Sequence, residues 1–225
     1  MNIIDKAIKM GRTSLSEFEA KQLLATYHIP VTREALVEKE ENLLAAAAAI
    51  GYPLVLKGCS ADIAHKTEKG LIHLDIRNDQ EALAAFKDIT ARVKHNKGSV
   101  LVQEMVQGKR ELAVGLTRDT QFGPCVMFGL GGIFTEILKD IAFRVAPLEK
   151  LDALEMMQEI RGHKILAAVR GLEAVDIDAL ADILINLGRI GLEHKQIKEI
   201  DINPIIISGT SPIVVDALVI LDGDQ

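Results

Sequence analysis

His65 lies in a polar stretch, Cys59 to Gly70, that holds Lys66, Lys69 and Gly70 and follows an apolar run ending in Lys57. A neutral imidazole can attack phosphorus, and the phosphoramidate so formed is labile enough to pass the group on. Ammonium groups close by stabilise the oxygens in transfer. Lys57 offers phosphates a point charge. Near the C-terminus, Glu199-Ile200-Asp201-Ile202-Asn203-Pro204 and Asp216 supply oxygen donors. Magnesium takes such ligands few at a time, keeping waters and phosphate oxygens for the rest, so Asn203 with Asp216 is a candidate metal pair. The alternation Glu-x-Asp-x-Asn puts three polar residues on one strand face. Together these features suggest a nucleotide site that routes a phosphoryl group through a histidine.

Three weaker features belong to the same chemistry. In Gln103-Glu104-Met105-Val106 an extended segment can present backbone groups and a carboxylate to an adenine edge and a ribose. Glu111 follows in an alternating strand. Gly129-Leu130-Gly131-Gly132 can admit a phosphate to backbone amides, with Gly131 at its centre. It fits neither the P-loop nor the dinucleotide-binding glycine pattern. Each feature alone also has an ordinary explanation. Lysines end strands, Asn-Pro makes turns, glycines make tight turns, and most histidines are structural or exposed. The other five, His28, His73, His95, His163 and His194, sit at helix ends, at exposed positions or within a strand pattern.

The elements that must position these residues alternate between helical and strand periodicity, which implies layered α/β or α+β structure. Ser14-Leu15-Ser16-Glu17-Phe18-Glu19 holds two overlapping capping boxes before a helix that must stop ahead of Pro30. Glu40 to Ile50 reads as an Ala-rich helix closed by Gly51. Leu54 to Lys57 is a short buried strand. Leu71 to Ile76 alternates, with Ile72, Leu74 and Ile76 on one face, and Asn78 with Glu81 caps a helix to Val93. Strands follow over Val100 to Val106, Glu111 to Leu116 and Pro124 to Gly129, with a hairpin from Phe134 to Val145. Helices are expected over Glu149 to Ile160, His163 to Val169 and Asp176 to Leu192. Two last strands, Ile197 to Ile202 and Ile213 to Val219, place Asn203 just past the first and Asp216 within the second. The expected division is an N-terminal helix, 1–20, joining the second lobe; a first lobe, 21–98, with the His65 loop; and a second lobe, 99–225, with the magnesium strand.

Composition excludes several function classes. The 225 residues are 48% hydrophobic and 26% charged, which is globular rather than disordered. A net charge of −6 argues against general nucleic-acid binding. Trp is absent and aromatics are 4%, too few for base-stacking platforms. The two cysteines, Cys59 and Cys125, lack zinc-site spacing. No apolar run is long enough to span a bilayer, and Met1 to Thr13 lacks the apolar core of a signal peptide. A cytoplasmic chain, bound to neither membrane nor nucleic acid, is the expectation.

Read together, the segments resemble the ATP-grasp β subunit of ADP-forming acyl-CoA synthetases of the acetate–CoA ligase type, related to the succinyl-CoA synthetase β subunit, over nearly the whole chain. Leu15 to Leu24 resembles the opening helix and Tyr52-Pro53-Leu54-Val55-Leu56-Lys57 the lysine strand. Ile63-Ala64-His65-Lys66-Thr67-Glu68-Lys69-Gly70 is similar to the phosphohistidine loop. Gly131-Gly132-Ile133-Phe134-Thr135-Glu136 and Ala142 to Leu148 resemble two further signatures, and Glu199 to Pro204 the magnesium strand. Where many relatives carry Gly-Gly, this chain has Gly70-Leu71.

The resemblance implies an α+β ATP-grasp fold, two lobes clasping ATP or ADP with Mg2+. It implies the reversible conversion of acyl-CoA, ADP and phosphate to acid, CoA and ATP, with His65 as phosphoryl carrier on a loop that moves between subunit sites. Lys57, Gln103, Glu104, Val106, Glu111 and Gly131 match nucleotide-site positions; Asn203 and Asp216 match magnesium ligands. It implies a separate α subunit carrying CoA-binding and ligase domains, assembled as an α2β2 heterotetramer. Two other readings keep the nucleotide but drop the phosphohistidine: an ATP-grasp carboxylate–amine ligase, and a non-catalytic nucleotide-binding regulatory subunit.

Overall fold

The computed structural model describes residues 2–60, 70–93, 99–132 and 140–222, which group into two compact units. The smaller comprises Ser16–Phe18 and Thr32–Met105; the larger takes Met1–Leu15, Glu19–Val31 and Val106–Gln225.

The smaller unit contains β1 (Glu34–Val37), a 3-10 turn (Glu40–Asn42), α3 (Leu43–Ile50), β2 (Leu54–Cys59), β3 (Ile72–Ile76), α4 (Asp79–Val93) and β4 (Ser99–Glu104). Its antiparallel sheet has the order β1-β4-β2-β3. Ala82, Ala85, Phe86, Ile89 and Val93 of α4 are buried at helical spacing, so one stripe of that helix meets the core. Asn78 Oδ1 accepts from the Glu81 amide while Asn78 Nδ2 donates to Glu81, which starts α4 where the sequence placed it. Gly51, at φ +92°, ends α3.

β4 lies between β1 and β2. The strand after Gly98 therefore belongs with the elements before it, and the compact units part after Met105 rather than at 98/99. β3 also departs from simple alternation. Asp75 sits at φ +56° and the β2–β3 register shifts by one, so Leu74 is 65% exposed while Ile76 is buried.

The larger unit begins with α1 (Ile3–Lys9) and most of α2 (Glu17–Thr26). It continues with β5 (Glu111–Asp119), β6 (Gly123–Leu130), β7 (Ile141–Val145), α5 (Lys150–Glu159), a 3-10 turn (His163–Leu166), α6 (Ile177–Glu193), β8 (Ile197–Ser208), β9 (Ser211–Val214) and β10 (Ala217–Leu221). The sheet runs β10-β8-β5-β6-β7, with β9 also on β8. His163–Leu166 is a 3-10 turn where a helix to Val169 was expected.

α6 packs on β5 and β6 and fills the core with Leu180, Ile183, Leu184, Leu187 and Ile190. Gly191 permits that approach: a Cβ there would lie 2.4 Å from Leu116 Cδ1. Leu112, Val114, Leu116, Ile200 and Ile202 face this core. Alternation then sends Thr117, Glu199, Asp201 and Asn203 to the opposite face. The N-terminal segment is sewn to the same unit. Leu15 N–H donates to Val219 O, Leu221 N–H to Thr13 O, and Val214 N–H to Pro30 O, so both ends of α2 are tied to β9 and β10.

Candidate functional site

In the smaller unit, Lys57 is not a strand end. β2 continues to Cys59, and Lys57 pairs with Ile72 on one side and Leu101 on the other. Its ammonium lies 2.8 Å from Glu17 Oε1, the two side chains being 5% and 1% exposed. Sequence reading assigned Glu17 to a helix cap; here its carboxylate is the counter-charge of the candidate phosphate lysine. A buried lysine demands such a partner, because a charge withdrawn from water is tolerated only when paired and hydrogen-bonded. The sequence signal was an acidic residue in the first turn of the helix, on the face that also carries Ala20, Lys21 and Leu24.

Glu104 ends β4 with both carboxylate oxygens on Arg33, from the amide at 2.7 Å and from Nε at 2.8 Å. Its own amide donates to Arg33 O, and Met105 N–H donates to Pro53 O. Arg33, missed in the sequence, thus orients the Glu104 carboxylate. Gln103 has no solvent-exposed surface, and its backbone sits between Glu34 and Val55 in the sheet. Interior strand pairing thus encloses the Gln103 side chain in a segment that leads directly to Glu104 and Val106. Val106 is half-buried and opens the larger unit. His65 lies outside the described residues.

In the larger unit the other candidates gather around the adjacent interior strands β5 and β8. Strand boundaries differ here from expectation. β8 runs unbroken through Pro204 to Ser208, so Asn203 lies within it, and Asp216 lies in the break between β9 and β10. Both β9 and β10 pair with β8 in one continuous register, Val214 opposite Ile205 and Ala217 opposite Ile202. Carried across the break, that register sets Asp216 opposite Asn203.

Asn203 Oδ1 accepts a hydrogen bond from Gly132 N–H at 3.3 Å. The preceding amide, Gly131 N–H, donates to Glu111 O at 2.9 Å. Glycine is required at both positions. A Cβ on Gly131 would meet Leu112 O at 2.7 Å, and one on Gly132, already at φ +61°, would meet Glu111 Oε2 at 2.4 Å. Glu111 of β5, Gly131 and Gly132 just past β6, Asn203 of β8 and Asp216 between β9 and β10 are thereby assembled.

Electrostatics at this site favour a cation. Desolvation first, then the charges of Glu199 and Asp216, raise the Asp201 carboxyl above the ordinary aspartate range, although the residue keeps exposed surface. An all-oxygen donor set of one amide and one carboxylate, with Glu199 and Asp201 nearby on the same face, fits magnesium held jointly with phosphate oxygens.

The ATP-grasp domain family matches residues 6–221. The β subunit of ADP-forming acetate–CoA ligase I from Pyrococcus furiosus is 48% identical over 224 residues, covering 97% of this chain and 96% of that one. This chain belongs to the ATP-grasp family, among the β subunits of ADP-forming acetate–CoA ligases. Solved structures agree with the ATP-grasp fold. Acetyl-coenzyme A synthetase 1 of Ca. Korarchaeum cryptofilum, in complex with coenzyme A and Ca-AMPCP, superimposes with a TM-score of 0.93 at 44% identity, over 98% of each chain. The same enzyme with coenzyme A and Mg-AMPPCP has its phosphohistidine segment pointing towards the nucleotide binding site; it matches at 43% identity and a TM-score of 0.88, again over 98% of each chain. Among the described residues of this ATP-grasp chain, no helix is long and apolar enough to cross a membrane.

Proposed function

We propose that this chain is the nucleotide-handling β subunit of an NDP-forming acyl-CoA synthetase that interconverts acyl-CoA, ADP and phosphate with acid, CoA and ATP. The observation that carries this reading is the near end-to-end likeness to a separate β subunit of an ADP-forming acetate–CoA ligase. An α subunit carrying the CoA-binding and ligase domains supplies an acyl phosphate, and the pair assembles as an α2β2 heterotetramer in the cytoplasm.

A histidine of the α subunit takes the phosphoryl group from the acyl phosphate, releasing the acid. His65 then attacks that phosphorus, and its N–P bond forms as the bond to the α-subunit histidine breaks. In the last step a β-phosphate oxygen of ADP attacks the same phosphorus, the N–P bond breaks, and ATP leaves with the imidazole restored.

Lys57 sets a positive charge against the phosphate oxygens, and Glu17 fixes that charge in place. Glu104, oriented by Arg33, and the backbone at Val106 receive the nucleoside. Glu111 and the amides around Gly131 shape the approach of the phosphates. Asn203 and Asp216 would hold Mg2+, which when bound neutralises charge on the phosphoryl oxygens.

Incubation with γ-labelled ATP and Mg2+ tests the reading. Acid-labile, base-stable label is expected on the wild-type chain and absent from His65→Asn. Label that never forms while ATP binds would favour the carboxylate–amine ligase or the regulatory subunit instead, and label that persists in the variant would remove His65 from the carrier role.

A further inference from the structure

Lys21 is among the largest side chains fully enclosed in this protein. It lies on α2 beside Ala20 and Leu24, both without exposed surface. Packing alone does not explain a lysine there, since Leu or Met would fill the space without withdrawing an ammonium from water. Its Nζ donates to the carbonyl of Val215 at 3.3 Å.

Val215 immediately precedes Asp216, in the break between β9 and β10. The other backbone group of Val215 is held too, its N–H donating to Pro204 O at 3.1 Å, next to Asn203. One hydrogen bond sets this span against β8 and the other sets it against α2. The helix itself is anchored, since the chain at either end of it bonds to β9 and β10.

We propose that Lys21 is a positioning residue that holds Val215 so that the Asp216 carboxylate stands opposite Asn203, ready for the magnesium of a bound nucleotide. The inference rests on the reading of Asn203 and Asp216 as metal ligands. Groups that orient metal ligands are worth about 10- to 100-fold in metal affinity.

The test is calorimetric titration of the full chain with ADP, with and without Mg2+, for Lys21→Met, Lys21→Gln, Asp216→Asn and the double variants with Asp216→Asn. Lys21→Met is expected to cut the Mg2+-dependent gain in ADP affinity about tenfold and leave Mg2+-free binding unchanged. Lys21→Gln keeps a donor and loses about threefold. Either loss should vanish in the Asp216→Asn background, because residues acting through one another are not additive. Should Lys21→Met fail to fold, the Lys21→Gln cycle carries the same comparison. Equal weakening with and without Mg2+, or losses that add in the double variant, would overturn the proposal. If Asp216→Asn abolishes the Mg2+ gain and neither Lys21 variant alters it, Lys21 alone is misassigned. If Asp216→Asn leaves the gain intact, the metal reading falls and the Lys21 proposal with it.

Discussion

Glu17→Gln removes one charge from the buried pair with Lys57. At 2.8 Å, with an effective dielectric constant near 20, the attraction is about 6 kcal/mol. It is offset by the several kcal/mol each ion loses on leaving water. Breaking such a pair by deleting one partner costs about 3–5 kcal/mol, because the other charge stays buried. Glutamine keeps an oxygen acceptor of similar shape, so the expected loss is near the lower end, about 3 kcal/mol. Native-state hydrogen exchange at the amides of β2 and β4 reads this within the smaller unit. Protection there should fall about 100-fold. Glu17→Leu with Lys57→Met should recover most of it, since apolar replacement of a whole buried pair is often neutral or better. A fall of less than about fivefold would match an exposed pair worth about 1 kcal/mol. It would refute the argument that Glu17 compensates Lys57.

Asn203→Ala should raise the Mg2+ concentration needed for half-maximal ADP binding by about tenfold without weakening Mg2+-free binding, measured by calorimetry. Gly131→Ala forces a Cβ to within 2.7 Å of the Leu112 carbonyl oxygen; a stability loss of about 1–3 kcal/mol is expected on urea unfolding, together with weaker nucleotide binding. Tyr27 has its hydroxyl pKa raised from 10.0 to about 12 by desolvation and by Glu193, to which it donates at 2.6 Å. The folded state therefore holds this proton more tightly than the unfolded chain, and stability must fall as pH rises from about 10 to about 12. Tyr27→Phe should flatten that decline in thermal unfolding followed across the window. The same slope in both proteins would contradict the assignment.

Periodicity and punctuation along the chain were enough to place most elements. The Asn78–Glu81 cap, the stop at Gly51, and the strands and helices flanking the candidate residues are set by neighbours within a few positions. The oxygen donors of the Glu199–Asn203 strand were legible for the same reason: alternation is local, and it put Glu199, Asp201 and Asn203 opposite Ile200 and Ile202. Enclosure was not legible. Gln103 looked like a polar strand end and proved to be interior, because β4 is flanked on both sides in a sheet whose order is not the order of the chain. The strand breaks around Asp216 escaped notice because β8 carries two partners along one length.

What the sequence determined by itself was the chemical inventory and its local scaffold: an imidazole, a lysine on an apolar strand, glycines and a row of oxygen donors. Tertiary structure alone decided which charges meet. Glu17 lies 40 positions from Lys57, Gly132 71 positions from Asn203, and Lys21 194 positions from Val215. Those separations carry no periodic signal. They are set by strand order and by the requirement that every ammonium or carboxylate taken from water finds a partner where the backbone happens to bring one.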